Sequence, residues 1–348
     1  MENERSITEK IKKVEVRRRP WAATLIIILG TALLLISMFL SFPLGIAKTS
    51  FADVWKVMID YDSSVQYQAI IMEKRIPRAV GAVLVGMGFA IAGAIMQGMT
   101  RNPLADSSIL GINAGAVFGL ALCLALWPDS TYAVKVALAF GGAATASFMV
   151  FGISSMNAGG ATPLRLVLAG ASIAALFTAL SEGISLYFGL SQDIAYWFSG
   201  GIVQTGWNEL RTIAPIVIIA IIASMFIGRS ITLLSLGDEI ATSLGQNIYL
   251  VKAIAVMLVL ILAGTSVAVV GAVSFVGLIV PHLVRYMVGV DYRLIIPCSA
   301  VVGGLLVLYA DIAARTINTP AETPIGAIIA LFGVPFFLYL ARKERRIL

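Results

Sequence analysis

Residues 75–116 read RIPRAVGAVLVGMGFAIAGAIMQGMTRNPLADSSILGINAGA, and this stretch decides the fold. From Ala79 to Thr100 no side chain is charged. A run of ~20 such residues matches the ~30 Å hydrocarbon core of a bilayer when wound as a helix. Charge stands only at its two ends, in Lys74-Arg75-Ile76-Pro77-Arg78 and in Arg101-Asn102-Pro103-Leu104-Ala105-Asp106. Within the run, Gly81, Gly86, Gly88, Gly93 and Gly98 alternate with larger apolar residues. Helices in lipid gain nothing from hydrophobic association, so close contact depends on small residues of this kind. The stretch reads as a membrane-spanning helix inside a tightly packed bundle.

The rest of the chain agrees. Of 348 residues 59% are hydrophobic and 13% charged, and the mean hydropathy is +0.93; soluble domains carry about 25% charged residues. Ten apolar segments lie near 21–43, 78–99, 109–127, 134–153, 163–190, 210–228, 249–270, 273–289, 294–311 and 324–341. No polar loop separates the seventh from the eighth, so a turn is expected around Gly264–Ser274, where Gly, Thr and Ser collect. The expected fold class is an all-α polytopic membrane protein with ten transmembrane helices. A single transmembrane domain over 21–341 lies between a basic tail, 1–20, and a short tail, 342–348. Residues 44–77 are expected as an external loop and 229–248 as a cytoplasmic segment, leaving no length for a soluble catalytic domain. The apolar run from Trp21 is too long for the core of a signal peptide and reads as an uncleaved first span.

Orientation follows from Lys and Arg, which accumulate on the cytoplasmic side. The N-terminal tail holds Arg5, Lys10, Lys12, Lys13, Arg17, Arg18 and Arg19, and the C-terminal tail Arg342, Lys343, Arg345 and Arg346. Ten spans put both tails on one side, in the cytoplasm, and then 17 of the 25 basic residues lie inside and 8 outside. The net charge of +6 is thus a topology signal, with no reason to read it as nucleic-acid binding.

Several polar features stand out against this background. Arg75, Arg78 and Arg315 fall outside, against the bias. They are read either as interfacial snorkelling or as exposed forks for the carboxylates of an external partner. Leu236-Gly237-Asp238-Glu239-Ile240-Ala241-Thr242-Ser243-Leu244-Gly245 reads as a short helix, with its acidic pair in the first turn and Gly245 as its stop. So short a helix must pack on its own bundle or on another protein. Pro103 ends the second span, and Asn102 and Asp106 are placed to satisfy freed backbone groups or to cap the third helix. Glu182 stands within the fifth span, where a carboxylate is costly and a pathway role is its default reading. His282, the sole histidine, reads as a structural residue, and Arg165, Lys252, Arg285 and Asp311 as snorkelling near span ends. Cys123 and Cys298 form neither a disulfide framework nor a metal pattern. A spacing echo links Gly93-Ala94, Pro103 and Gly111 to Gly271-Ala272, Pro281 and Gly289, as an inverted repeat would. No P-loop, HExxH or His-rich cluster occurs, so neither nucleotide chemistry nor a metal or cofactor site is expected, and any energy for transport comes from a partner or an ion gradient.

These motifs carry a resemblance. Residues 75–116, LGDEIATSLG (236–245), GAVSFVGLIVPHLVR (271–285), ADIAAR (310–315) and TPIGAIIALFGVPFFLYL (323–340) together resemble the FecCD-type permeases of ABC importers for iron-siderophores, haem and cobalamin, over about residues 20–342. The resemblance implies a type II ABC importer permease fold with ten transmembrane helices per subunit. It implies as partners a second permease subunit, identical or paralogous, a cytoplasmic ABC ATPase dimer and an external substrate-binding protein. By the same resemblance Arg75, Arg78 and Arg315 look like the residues that dock the binding protein. Gly237, Asp238, Glu239, Ile240, Ala241, Leu244 and Gly245 look like the coupling helix that seats in the ATPase. Asn102, Leu104 and Thr162 look like cytoplasmic gate positions, and Glu182 is a pathway candidate. The expected activity is import of a ferric siderophore into the cytoplasm by alternating access, with no catalysis by this chain. The alternatives are cobalamin or haem as cargo, an ion-coupled secondary transporter, or an assembly protein without a pathway. Ion coupling would call for several intramembrane carboxylates, and the spans hold essentially one, Glu182.

Overall fold

The computed structural model describes residues 19–45, 49–156, 163–198, 206–319 and 322–344. Among them the ordered segments are helices: α1 (Pro20–Ser41), α2 (Phe51–Ile59), α3 (Gln66–Thr100), α4 (Ile112–Leu126), α5 (Tyr132–Ser155), α6 (Pro163–Phe188), α7 (Ser191–Phe198), α8 (Trp207–Ser235), α9 (Asp238–Ser243), α10 (Ile248–Val270), α11 (Val276–Val288), α12 (Tyr292–Thr316) and α13 (Ile325–Glu344). Each of the ten apolar segments coincides with a helix. Seven described helices are long and apolar enough to cross a membrane, whereas α4, α11 and the apolar part of α13, Ile325–Tyr339, are shorter. At ~1.5 Å per residue, α11 rises only about 20 Å.

The bundle is arranged from the inside out. In the most apolar window of α3, 83% of residues are buried, and 78% in α10, against 17% in α1 and 28% in both α6 and α8. The peripheral helices turn large apolar side chains outward, among them Ile28 and Leu29 of α1, Leu168 of α6 and Ile219 and Phe226 of α8. Such a surface is stable against lipid and would be a large aggregation-prone patch in water. At the centre the helices meet at glycines. A Cβ on Gly93 of α3 would collide with the backbone of Gly277 in α11, and one on Gly86 with that of Gly303 in α12.

Three expectations are corrected. Residues 44–77 are not a loop: they contain α2, started by a Ser50–Asp53 capping box, and the opening turns of α3. The charged Glu73-Lys74-Arg75 interrupts the apolar pattern, yet the helix runs through it as a π-turn over Ile71–Arg75. The Met72 carbonyl in this turn accepts the Trp207 indole N–H at 2.7 Å, so the irregular backbone is satisfied by a distant helix. Likewise residues 229–235 continue α8, and only 236–247 connect it to α10. The expected turn between the seventh and eighth segments is present, at the C-terminal end of the 264–274 range: Gly264 is still helical and the break covers 271–275, with Gly271 at φ +81° and Phe275 at φ +73°. The spacing echo pairs unlike structures: Gly93 is inside α3 but Gly271 follows α10, and Pro103 is in a loop but Pro281 is inside α11.

Candidate functional sites at the two ends of α3

Two charged clusters stand at opposite ends of the central helix. The first gathers Arg75 and Arg78 from α3 and Arg315 from α12, as the sequence places them on one side. They do not face outward, however: all three are buried. Arg78 donates from Nε to Asp311 Oδ1 and from Nη1 and Nη2 to the two carboxylate oxygens of Glu322, each at 2.9 Å. Arg315 lies one turn beyond Asp311 on α12, 3.0 Å from its Oδ2, and donates to the Leu44 carbonyl at 3.1 Å. Arg75 donates to the Phe42 carbonyl at 2.8 Å and to Thr49 Oγ1 at 2.6 Å. The reason is energetic. A guanidinium without partners in this environment would cost several kcal/mol, about what each desolvated ion forfeits, so carboxylates and carbonyls of the same chain surround it. Asp311 is fully buried, while the Glu322 side chain keeps 29% of its exposure.

The second cluster lies where α3 ends. Arg101 takes a left-handed conformation, φ +54°, which closes the helix before Pro103. Its Nη2 is 3.6 Å from Asp238, and Lys252 of α10 is 2.9 Å from the same carboxylate. Asp238 opens α9, between Gly237 at φ +124° and Gly245 at φ +79°. Both values belong to conformations that suit glycine. Ala241 is buried, whereas Glu239, Ile240 and Leu244 point outward. The helix is therefore anchored on one face and carries two uncovered apolar side chains on the other. From Arg78 to Arg101 α3 rises about 35 Å, at ~1.5 Å per residue, slightly more than the ~30 Å of a hydrocarbon core.

The remaining candidates are dispersed. Asn102 Oδ1 accepts the Leu104 N–H at 3.0 Å and shapes the turn, and Leu104 packs on Leu278 and Ile279 of α11, a pair that Phe336 and Phe337 of α13 also pack against. Asp106 caps the short 3₁₀ turn Ser107–Leu110 and not α4, which starts from Gly111. Desolvation raises its carboxyl above the usual range, against the lowering effect of the Ser107 N–H. Glu182 is exposed on α6 and makes no hydrogen bond or ion pair among the described residues. His282 packs edge-on against Phe336, ring centres 6.0 Å apart. Both cysteines are buried and free. Thr162, and the tails 1–18 and 345–348, lie outside the described residues.

Against families of known proteins, residues 33–343 match the model of the FecCD transport family. The chain belongs to the FecCD transport family. It is 42% identical over 342 residues, 98% of this chain and 89% of the relative, to the iron(3+)-hydroxamate import system permease protein FhuB of Bacillus subtilis. It is 39% identical over 331 residues, 95% and 98% of the two chains, to the Fe(3+)-citrate import system permease protein YfmD of the same organism. Among solved structures, a transporter of metal-chelate type in an inward-facing conformation superposes with a TM-score of 0.79 at 27% identity, over 92% of this chain and 99% of that one. This FecCD chain is thus an integral membrane transport protein. In it the sequence singled out the three arginines and the α9 segment. It did not pair Arg78 with Glu322, because 244 residues separate them. It also took Asp311 for a snorkelling end residue, although its spacing of four from Arg315 on one helix was a readable signal of an ion pair.

Proposed function

We propose that the chain is the membrane-spanning permease subunit of an ABC importer that carries a ferric siderophore into the cytoplasm by alternating access. The observation that carries this reading is the placement of two different clusters at the two ends of one buried helix. One is an arginine–carboxylate cluster, and the other is a short helix with an uncovered apolar face. In this reading the ten helices all cross the membrane, both termini are cytoplasmic, and the domain runs over 21–341. An external substrate-binding protein docks over Arg75, Arg78 and Arg315. Because Arg78 is already engaged, its carboxylates reach it by replacing Glu322, the more exposed of its two acidic partners.

At the other end α9, through Ile240 and Leu244 with Glu239 beside them, seats in a cytoplasmic ATPase dimer. Movement of α9 reaches α3 and α10 through Asp238, which contacts Arg101 and Lys252. Asn102 and Leu104, with Thr162, gate the inner mouth. Glu182 and the exposed face of α6 border the pathway shared with a second permease subunit, a copy of this chain or a paralogue. The hydroxamate and citrate in the names of the relatives are both oxygen-donor ligands of iron(III), which supports an iron chelate as cargo. This chain supplies no catalytic group and converts one shape change into another.

The test is uptake of a radiolabelled ferric hydroxamate into proteoliposomes holding this chain, its partner permease, ATPase and binding protein. Uptake is expected to need ATP, the ATPase and the binding protein together. Uptake that survives removal of the ATPase and collapses with the proton gradient would point to ion coupling and end this reading.

A further inference from the structure

A cavity of about 350 Å³ opens beside the Arg101 end of α3, among the last turns of α3, α8 and α11 and the first turn of α12. Its walls include the apolar Leu233, Leu236 and Val290, and its lining holds two guanidiniums, Arg101 and Arg285, and no carboxylate. Arg285 is held in one orientation by neutral groups. Its Nη2 donates to Gln97 Oε1 at 3.0 Å and to the Tyr292 hydroxyl at 2.7 Å, and its guanidinium carbon lies 5.7 Å from the Tyr292 ring centre. Both supports are themselves locked. Gln97 and Tyr292 are 1% and 3% exposed, and the Gln97 amide nitrogen donates to the Gly277 and Leu278 carbonyls at 3.2 Å each.

The remaining donors of Arg285, Nε and Nη1, engage no group of the described chain. The nearby acids are already taken: Asp291 by Arg293 at 2.9 Å and Asp238 by Lys252 at 2.9 Å. This differs from the other end of α3, where each arginine meets carboxylates or carbonyls of its own chain. Arg101, at the cavity mouth, is held in a left-handed conformation that side-chain-bearing residues seldom take, and its one ionic contact, to Asp238, is long at 3.6 Å.

We infer that this cavity binds a phosphate-bearing anion, with Arg285 as the fixed cation and Arg101 as the second. Nε and Nη1 lie on different edges of the guanidinium, so each offers one charge-assisted contact to a phosphate oxygen rather than a joint fork. The apolar walls and the volume admit either a free phosphate or the headgroup of an anionic phospholipid, whose phosphate presents the same oxygens. The inference rests on the cavity alone and is independent of the transport reading.

The full-length chain in neutral detergent is titrated with phosphatidylglycerol or with inorganic phosphate at constant ionic strength, with phosphatidylcholine as the control. Binding is read by native mass spectrometry and by the shift of the unfolding midpoint. The wild type is expected to bind at least one anion and not the control. Arg285→Gln is expected to weaken binding about tenfold or more and Arg101→Gln several-fold, as loss of a charge-assisted contact requires. A response to the lipid alone assigns a headgroup, and a response to inorganic phosphate assigns the free anion. Arg101→Gln leaves the Gln97–Arg285–Tyr292 set intact, so it decides the matter should Arg285→Gln not fold. The inference is overturned if neither anion binds the wild type better than the control, or if affinity is unchanged in either folded variant.

Discussion

Arg78 and Glu322 form a two-bond fork, each terminal guanidinium nitrogen donating across 2.9 Å to one carboxylate oxygen. The arginine lies between a wholly buried acid, Asp311, and this partly exposed one. Anything acidic that approaches Arg78 from solvent therefore competes with Glu322 first. Glu322→Gln keeps the shape and removes the charge, so it weakens the competitor. Under the proposed docking, affinity for the external binding protein is expected to rise about three- to tenfold, the effect of ~1 kcal/mol, measured by surface plasmon resonance on reconstituted protein. Unchanged or weaker docking would mean that partner carboxylates do not take the Arg78 fork.

The α3–α11 contact makes a stability prediction. A side chain at Gly93 has nowhere to go, because the Gly277 backbone occupies the space. Gly93→Val is expected to cost at least the ~1–3 kcal/mol typical of overpacking, seen as a lower unfolding midpoint in detergent. Gly152, with nothing within 4 Å of where its Cβ would stand, is the control, and Gly152→Ala should leave the midpoint nearly unchanged.

For α9 the prediction separates anchoring from docking. Ile240 and Leu244 are 48% and 62% exposed, so the double variant Ile240→Asp/Leu244→Asp should stay monodisperse. Co-purification of the proposed ATPase partner is expected to fall at least tenfold. If the ATPase is still captured at the wild-type ratio, its contact with the permease lies elsewhere.

The two ends of the bundle can be assigned to sides of the membrane by thiol labelling. Both native cysteines are buried and give a low background. Tyr61→Cys, at the Arg78 end, should react with an impermeant maleimide in right-side-out vesicles, and Tyr249→Cys, at the Arg101 end, only in inverted ones. Labelling of both from one side would contradict the topology on which docking and coupling depend.

Membrane class and the positions of ten apolar helices were legible in the chain, because each depends on a local sum. Partition into lipid is decided by ~20 consecutive residues. The α9 helix was legible for the same reason, since Asp238 and Gly245 are short-range start and stop signals. Only the tertiary structure decided what happens to the charges. Arg78 finds Asp311 across 233 residues and Glu322 across 244, and Gln97 finds Arg285 across 188. No local pattern encodes such meetings. They are set by which helices pack against α3, and that packing turned three arginines expected at the surface into buried ones and carried α3 through Glu73-Lys74-Arg75 without a break. A charge removed from water must find its counter-group wherever the fold brings one, and the fold is a property of the whole bundle.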